Sequence, residues 1–464
     1  MLELEYQYSR ITIQEVKHKE SAGCGSLSVL WINVYTFLIG VARSSYSVLY
    51  NLFLRSQGFD NVVVGRATFY YSWGLAFGGL FFSSLSDRIG RKNTIILTIP
   101  LFSLLGFLRL LANTPILIVM LSLLFGFFDT SIILPTISVI ESSDDRKRLR
   151  NSNINFAIVM LTGVLGYFGA GLLAPWLGYF RSLTLSMLFA LASVIPVLLL
   201  PNLKRASRLE RILELNLGQI VMLAYYTVSG ALVSFAAGIF INFGNVIFYD
   251  IFSFSPTAIS AILAVSQLST AATSLFSHKL TEKVGYKLSL FSLYGAVTLL
   301  IYTLPILMSN SIAFSFGYIL RFVLLNISTP MYMVFCLTYL PRNYVATFSG
   351  LSYFINNTMR AYSAYTFSKL SVSGWTDYSQ LFLTTGHYYL LNTVATLATF
   401  AMLTLLSSKG LDKKVLIKLE QKGDFSGRKY LGSSGHVVGR LHSFRTAKKR
   451  DSKRHSGVHI HHRY

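Results

Sequence analysis

Long apolar segments recur along almost the whole chain and are separated by short polar breaks. A helix needs roughly 20 mostly apolar residues to cross a bilayer, and no segment alternates as a barrel strand would. Because main-chain polar groups in lipid must be paired within their own segment, these segments predict transmembrane helices. The twelve candidates cover residues 28–53, 61–84, 93–112, 115–139, 152–174, 181–200, 219–248, 256–277, 287–307, 311–337, 344–368 and 384–406.

The composition supports lipid as the main solvent. Of the 464 residues, 53% are hydrophobic and only 13% are charged, whereas a soluble domain carries about 25% charged residues. The two cysteines, Cys24 and Cys336, indicate neither a disulfide framework nor a metal site. No small-residue cleavage site follows the first apolar segment, so we expect no removable signal peptide. These features predict an all-α polytopic membrane protein without cofactors.

The polar breaks divide the twelve segments into two groups of six. We predict a cytoplasmic N-terminal segment over residues 1–27, six-helix bundles over 28–200 and 219–407, a linker over 201–218 and a tail over 408–464. In the linker, leucine and isoleucine alternate with arginine at helical spacing. This pattern is typical of a short amphipathic helix on the membrane surface, although a solvated linker helix would have the same pattern.

The distribution of lysine and arginine predicts the orientation. If the N-terminus is inside, eighteen of these residues lie in cytoplasmic segments and five lie on or near the other side. The positive-inside rule therefore places both termini in the cytoplasm, and we expect a multi-pass protein of the plasma membrane that works as a monomer.

The C-terminal tail is strongly basic. Residues 408–464 contain fifteen Lys or Arg and four acids. Their net charge of +11 is half of the chain's net charge of +22. Such a composition favours disorder, and a basic cytoplasmic tail can lie against anionic lipid headgroups. We expect this lipid contact rather than nucleic-acid binding. Four tail histidines are candidate metal ligands, although a disordered tail favours no metal site: His455, His459, His461 and His462.

An internal repeat is visible at an offset of 195 residues. The segment LSDRIGRK at residues 85–92 aligns with LTEKVGYK at residues 280–287, and the same shift places Pro135 on Pro330. Two landmarks at one offset indicate a duplicated six-helix unit.

The chain resembles the major facilitator superfamily of secondary transporters. The resemblance rests on D-R-x-G-R-K between the second and third helices, its degenerate copy between the eighth and ninth, and Glu141 followed by Arg148 after the fourth helix. It covers residues 28 to 406 and implies a fold of two six-helix pseudo-repeats. It also implies that helices 1, 4, 7 and 10 line a central cavity.

The charged loops are candidates for a cytoplasmic gate. Their basic residues can clamp the two halves on the inner side and release when the halves rock, or can simply keep the loops in the cytoplasm. Retention of the acid at Asp87 and Glu282 favours the clamp, although an exposed ion pair contributes only ~0–1 kcal/mol. The candidate gate residues are Asp87, Arg88, Gly90, Arg91, Lys92, Glu141, Arg148, Glu282, Lys283 and Gly285.

Charged residues inside the predicted spans are the main candidates for the transport pathway, because they are costly in lipid and usually face a cavity. Helices 1, 7 and 11 also carry polar residues at three- and four-residue steps. The candidate substrate-binding or coupling residues are Arg43, Tyr50, Asp129, Asn242, Asn245, Arg321, Asn356, Asn357 and Arg360.

Asp129 is the one acid well inside a predicted span, which makes it the candidate proton site. It can instead form a structural ion pair with Arg321 or with Arg43. The excess of arginine over aspartate in the spans favours an anionic substrate, because arginine binds carboxylate or phosphate through two parallel hydrogen bonds.

The resulting hypothesis is a secondary carrier that moves a small polar or anionic metabolite by alternating access, with protons or another ion as the coupling partner. Drug efflux by proton antiport is an alternative, although the fifth helix lacks the Gly-Pro pair often found in drug exporters. A receptor on the same fold is another alternative. An intramembrane enzyme would need several converging Asp, Glu, His or Cys residues, so we expect no enzyme.

Overall fold

In the computed structural model, the described residues are 2–131, 133–142, 148–200, 216–274, 277–339, 345–370 and 375–408. Within these ranges every regular element is a helix. The helices before residue 201 are α1 (Leu2–Ser56), α2 (Asn61–Ile89), α3 (Arg91–Leu111), α4 (Pro115–Phe128), α5 (Ile133–Ser142), α6 (Arg148–Ala192) and α7 (Val194–Leu198).

The helices after residue 215 form the second part of the chain. They are α8 (Leu217–Phe252), α9 (Pro256–Ser274), α10 (Ser277–Val284), α11 (Tyr286–Leu307), α12 (Ser311–Tyr339), α13 (Val345–Leu370) and α14 (Trp375–Ser408). We call α1–α7 the N-terminal half and α8–α14 the C-terminal half. Most of the predicted linker and all of the tail beyond residue 408 lie outside the described residues.

The outer surface is apolar, as expected of a protein surrounded by lipid. Ile116, Trp176 and Ile312 are 75%, 88% and 81% exposed, which would be costly in water. Within the described chain, seven helices are long and apolar enough to cross a membrane: Leu27–Ser56, Arg91–Leu111, Ile154–Leu198, Leu217–Phe252, Tyr286–Leu307, Ser311–Cys336 and Thr376–Leu406. The protein is therefore a multi-pass membrane protein.

Helices α1 and α6 differ from the sequence-based boundaries. The first helix extends back to Leu2, well before the apolar segment that begins at residue 28. The fifth and sixth predicted helices are joined in α6, whose arms meet at Gly178 with φ 74° and ψ 164°. That conformation is essentially restricted to glycine, which explains why the chain can turn there without a loop.

The fourth predicted helix is interrupted where a continuous span over residues 115–139 was expected. Helix α4 ends at Phe128 and α5 begins at Ile133. Pro135 has no N–H to donate to the carbonyl of Ser131, so it cannot contribute a helical hydrogen bond across the break. The interruption places Asp129 at a helix end inside the fold, where it is 3% exposed.

Candidate functional site

Asp129 is fully enclosed and has polar partners from three parts of the N-terminal half. Its Oδ2 accepts a hydrogen bond from Arg43 Nε at 2.9 Å and another from the Tyr71 hydroxyl at 2.7 Å. Its Oδ1 accepts from the hydroxyl and the main-chain N–H of Ser131. The carboxylate is therefore paired with an arginine on α1, a tyrosine on α2 and the broken end of α4.

The sequence left three roles open for Asp129, and the structure pairs it with Arg43 rather than Arg321. The Arg43 side chain remains 30% exposed while that of Asp129 is inaccessible. Arg43 Nη2 also donates to the Tyr71 hydroxyl at 3.3 Å. A rearrangement at Arg43 would therefore be transmitted directly to the buried carboxylate.

Close packing of α2 against α4 brings Tyr71 to this site. A methyl group added at Gly126 would overlap the main-chain oxygen of Tyr71, and one added at Gly74 would overlap the main-chain oxygen of Leu123. Glycine at both positions lets the two backbones approach more closely than side chains would allow.

Tyr50, a predicted pathway residue, lies elsewhere in the N-terminal half. It is 4% exposed, and the guanidinium carbon of Arg109 lies 3.7 Å from its ring centroid. Arg109 also lies over the rings of Phe125 at 4.6 Å and Tyr46 at 5.6 Å. Arg109 itself is buried to 4% exposure in this aromatic cluster.

A cavity of about 470 Å³ lies between the two halves. The N-terminal half contributes residues of α1 and α6, including Ser47 and Tyr167, and the C-terminal half contributes the rest. The predicted cavity helices 1, 7 and 10 (α1, α8 and α12) all line it. Among the described lining, no residue comes from α4 or α5, whereas α6, α9, α11 and α13 contribute.

Arg321 is a charged residue of the cavity wall and is 1% exposed. Its guanidinium carbon lies 4.9 Å from the ring centroid of Phe240 and 4.7 Å from that of Phe322. Its Nη2 donates to the Tyr389 hydroxyl at 2.7 Å, whereas its Nε has no hydrogen-bond partner. The aromatic rings hold the cation in place at the edge of the cavity.

Arg360 is the second charged residue of the described cavity lining. Its Nε is also without a hydrogen-bond partner. Among the described residues, neither Arg321 nor Arg360 forms an ion pair. The cavity therefore carries two positive charges and no acidic residue in its described lining.

Four asparagines were predicted to belong to the pathway, and three line the cavity: Asn242, Asn245 and Asn356. Asn242 Nδ2 and Asn356 Oδ1 are buried without a partner. Asn357 is 4% exposed and donates to the carbonyl of Tyr353 on its own helix. The structure thus groups Arg321, Arg360 and the three lining asparagines at one cavity, whereas Arg43, Asp129 and Tyr50 are not part of its lining.

Asp250, which the sequence analysis missed, joins the two halves. Its Oδ1 lies 3.2 Å from Arg55 Nη2, and its Oδ2 accepts from Asn61 Nδ2 at 2.6 Å and from the Tyr378 hydroxyl at 2.7 Å. Asp250 follows the predicted end of its apolar segment by two residues and so was not considered an intramembrane charge. The available signal was its separation from Arg55, which equals the repeat offset of 195 residues.

Asparagines form a second contact between the halves, one helical turn from the Asp250 cluster. Asn51 Nδ2 donates to the carbonyl of Asn242 at 2.8 Å, and Asn245 Nδ2 donates to the carbonyl of Val48 at 2.6 Å. These reciprocal bonds tie α1 to α8.

The predicted gate loop lies at the opposite end of α2 from Asn61. Asp87 Oδ1 lies 2.6 Å from Arg91 Nη2, and Lys92 Nζ donates to the carbonyl of Leu198 at 2.8 Å and to that of Leu200. These contacts join α2 to α3 and α3 to the end of α7. Arg88 and Lys283 are exposed. The side chains of Glu141, Arg148 and Glu282 lie outside what the structure describes.

The two copies of the loop have the same turn. Gly90 (φ 93°, ψ 149°) precedes α3, and Gly285 (φ 80°, ψ 162°) precedes α11. After each glycine a lysine reaches the last helices of its own half, because Lys92 contacts the end of α7 and Lys287 Nζ lies 3.4 Å from Thr404 Oγ1 on α14.

Comparison with known proteins agrees with this architecture. The family model of the Major Facilitator Superfamily matches residues 32–364. No curated protein sequence matches the chain.

Several solved structures have a similar fold. A D-xylose–proton symporter has a TM-score of 0.67 at 13% identity, over 80% of this chain and 96% of that chain. A bacterial homologue of the human lysosomal transporter Spinster, inward-facing and occupied, has a TM-score of 0.66 at 13% identity, over 81% and 97% of the two chains. The nucleoside transporter NupG has a TM-score of 0.61 at 16% identity, over 80% and 98%. These identities are low, so the likeness is one of fold.

Proposed function

The chain belongs to the Major Facilitator Superfamily, and on this premise we propose that it is a secondary transporter that moves a small polar or anionic metabolite by alternating access. The observation that carries this proposal is the cavity of about 470 Å³ between the halves, with Arg321 and Arg360 in its wall. Substrate sites between repeats are the general expectation for such carriers.

We propose twelve spans in two six-helix pseudo-repeats. In this assignment α4 and α5 form one interrupted span, the two arms of α6 form two, α7 ends the sixth, and α9 and α10 share the eighth. The shared turn at Gly90 and Gly285 supports the duplication. The pairing of Arg55 with Asp250 also supports it, because residues near a pseudo-twofold axis contact their own equivalents.

The positive-inside rule supports an orientation with both termini in the cytoplasm. In that orientation the Ser84–Asn93 loop is cytoplasmic and the Asp250 cluster is extracellular. The proposed location is the plasma membrane, with the basic tail near anionic lipids on the inner side.

We propose that Arg55, Asn61, Asp250 and Tyr378 form the extracellular gate. Opening would break the bonds from Arg55 and Asn61 to Asp250, which cross between the halves. Two contacts stay within a half, namely Tyr378 to Asp250 and Arg55 Nη1 to the carbonyl of Phe59 at 3.3 Å. Because both charged groups keep a polar partner, opening this gate leaves neither of them without a hydrogen bond.

Small residues beside this cluster allow the halves to meet closely. A methyl group at Gly65 would overlap Ser368, and one at Gly171 would overlap Ser260. Both contacts join helices of different halves. This close packing supports a state that is closed at the extracellular end.

The cytoplasmic gate remains a proposal based on the charged loops. The described contacts of Asp87 and Lys92 lie within the N-terminal half, so a clamp with the C-terminal half belongs to the state that is closed on the cytoplasmic side. In that state the candidates are Asp87, Arg88, Arg91, Glu282 and Lys283.

We propose Asp129 as the proton-coupling residue. Its carboxylate is inaccessible, whereas its partner Arg43 is partly exposed. Movement of Arg43 would remove the cation that stabilises the ionised carboxylate, and so favour proton uptake. The Asp129→Asn variant is therefore expected to retain substrate exchange and lose proton-driven accumulation.

The deciding experiment is counterflow in proteoliposomes, tested with sugars, organic acids, amino acids and phosphate esters, followed by uptake under an imposed pH gradient. Exchange of at least one polar solute supports the proposal. Exchange of hydrophobic drugs alone would favour the efflux alternative, and absence of exchange for every solute would favour a receptor on this fold. Proton dependence that survives Asp129→Asn would refute the coupling role.

A further inference from the structure

Arg321 is a buried cation whose surroundings compensate its charge only in part. It is 1% exposed, and the faces of Phe240 and Phe322 lie within 5 Å of its guanidinium carbon. Aromatic faces attract a cation. They supply no full negative charge, however, and an isolated charge in a low-dielectric interior is strongly unfavourable.

The unused hydrogen-bonding capacity of Arg321 lies next to the cavity. Its Nη2 donates to Tyr389, but its Nε has no partner, and the residue forms part of the cavity wall. Guanidinium groups bind carboxylate and phosphate oxygens through paired N–H donors. An anion in the cavity would therefore compensate the charge, and a shift of the buried side chain toward the cavity would let the free Nε donate to it.

Arg360 adds a second cation to the same cavity. Its Nε is buried without a partner, and no described carboxylate pairs with it. The described cavity lining contains no Asp or Glu. A neutral solute would leave both charges uncompensated, whereas an anion would be attracted to both.

The rest of the cavity favours a hydroxylated solute over a purely apolar one. Asn242 contributes an unpaired donor and Asn356 an unpaired acceptor. A hydroxyl group can satisfy either, because it both donates and accepts. A hydrocarbon chain in this place would leave both amide groups unpaired, which is unfavourable.

We infer that the transported substrate is a hydroxylated organic anion, with its charged group at Arg321 and Arg360 and its hydroxyl groups at Asn242 and Asn356. This inference rests on the proposed transport function and narrows it to one substrate class. The charged group is a carboxylate or a phosphate, since the same donors bind both.

The test compares matched solutes on the purified full-length protein by isothermal titration calorimetry. Gluconate and glucose are similar in size and hydroxyl content but differ in charge, and hexanoate has the charge without the hydroxyls. Glucose 6-phosphate tests the phosphate form. Gluconate or glucose 6-phosphate is expected to bind at least about tenfold more tightly than glucose, which lacks the charge-assisted hydrogen bonds, and than hexanoate, which leaves the amide groups of Asn242 and Asn356 unpaired.

Variants then assign the site. Arg321→Gln is expected to weaken anion binding by about tenfold to a hundredfold, and Arg321→Lys to restore part of it. Arg109→Gln is the matched control, because Arg109 is a buried cation among aromatic rings that does not line the cavity. Arg109→Gln should bind as the wild type does. Arg360→Gln gives a second test that does not depend on the folding of the Arg321 variants.

The outcomes separate this inference from the proposed function. Glucose binding as tight as gluconate and glucose 6-phosphate, or anion affinity unchanged in both Arg321→Gln and Arg360→Gln, overturns the inference. Counterflow of a neutral sugar without any anion refutes the inference while supporting transport. Anion binding without counterflow of any solute supports the anion site and refutes the transport function.

Discussion

Arg55 and Asp250 form an ion pair across the two halves of the protein, with 3.2 Å between Nη2 and Oδ1. They are 195 residues apart, the same offset that relates the two copies of the charged loop. In the proposed pair of repeats, Arg55 and Asp250 therefore occupy equivalent positions, carry opposite charges and meet each other. Under the proposed duplication, the proposed gate at this contact needs only two complementary substitutions.

Neutralising Asp250 is expected to favour the state that is open at its end of the molecule. Asp250→Asn removes the carboxylate shared by Arg55, Asn61 and Tyr378 and so destabilises the closed state by about 1.5–3 kcal/mol, the usual contribution of hydrogen bonds to a charged group. The readout is external labelling of Ser47→Cys in the cavity, in a background with Cys24→Ser and Cys336→Ala. The labelling rate should rise in Asp250→Asn.

The matched control for Asp250→Asn is a double variant in which Arg55 and Asp250 exchange their charges. Combining Arg55→Asp with Asp250→Arg recreates an ion pair at the same place and should return the labelling rate toward that of wild type. If the double variant is labelled as fast as Asp250→Asn, closure of the proposed gate does not depend on this ion pair.

Gly171 and Gly169 offer a paired test of the interface between α6 and α9. A side chain at Gly171 would collide with Ser260 of the other half, whereas one at Gly169 would meet nothing within 4 Å. Gly171→Val should therefore prevent full closure and strongly reduce counterflow, while Gly169→Val should leave it near the wild-type rate. Equal rates in the two variants would contradict close approach of the halves at this contact.

Removing one member of the Arg43–Asp129 pair should lower the stability of the protein more than removing both. Asp129→Asn leaves Arg43 without its carboxylate, and because the Arg43 side chain is 30% exposed, the cost should fall below the ~3–5 kcal/mol of a fully buried pair. The double variant Arg43→Gln with Asp129→Asn leaves no net charge and should recover part of this loss. Thermal unfolding in detergent measures both, and a double variant less stable than Asp129→Asn alone would argue against a direct pair.

Gly90 should tolerate substitution poorly because of its backbone rather than its surroundings. Its φ of 93° with ψ of 149° is essentially a glycine conformation, although nothing lies within 4 Å of an added Cβ. Gly90→Ala should cost about 1–3 kcal/mol. Gly295→Ala, in the helical part of α11 with equally open space, should be neutral or slightly stabilising. Thermal unfolding measures the stability of both variants. A loss in Gly90→Ala without a loss in Gly295→Ala indicates backbone strain at Gly90, whereas equal losses would contradict it.

The sequence by itself was sufficient for the class of fold, because apolar segment length and charge asymmetry are local properties. It predicted a helical membrane protein, and the resemblance to the major facilitator superfamily is confirmed by the family match. It also singled out Arg321 and Arg360, which the structure places in the cavity wall, since a charge in an apolar segment is conspicuous whatever surrounds it.

Only the tertiary structure decided which side chains meet. Asp129 pairs with Arg43 and not Arg321 because α4 is interrupted and packs closely against α2. Asp250 lies just beyond an apolar segment, so its link to Arg55, Asn61 and Tyr378 could not be read from that segment. Contacts between helices depend on the rotation and axial position of each helix against its neighbours. A periodic pattern shows which face of a helix is polar, but packing alone determines what that face contacts.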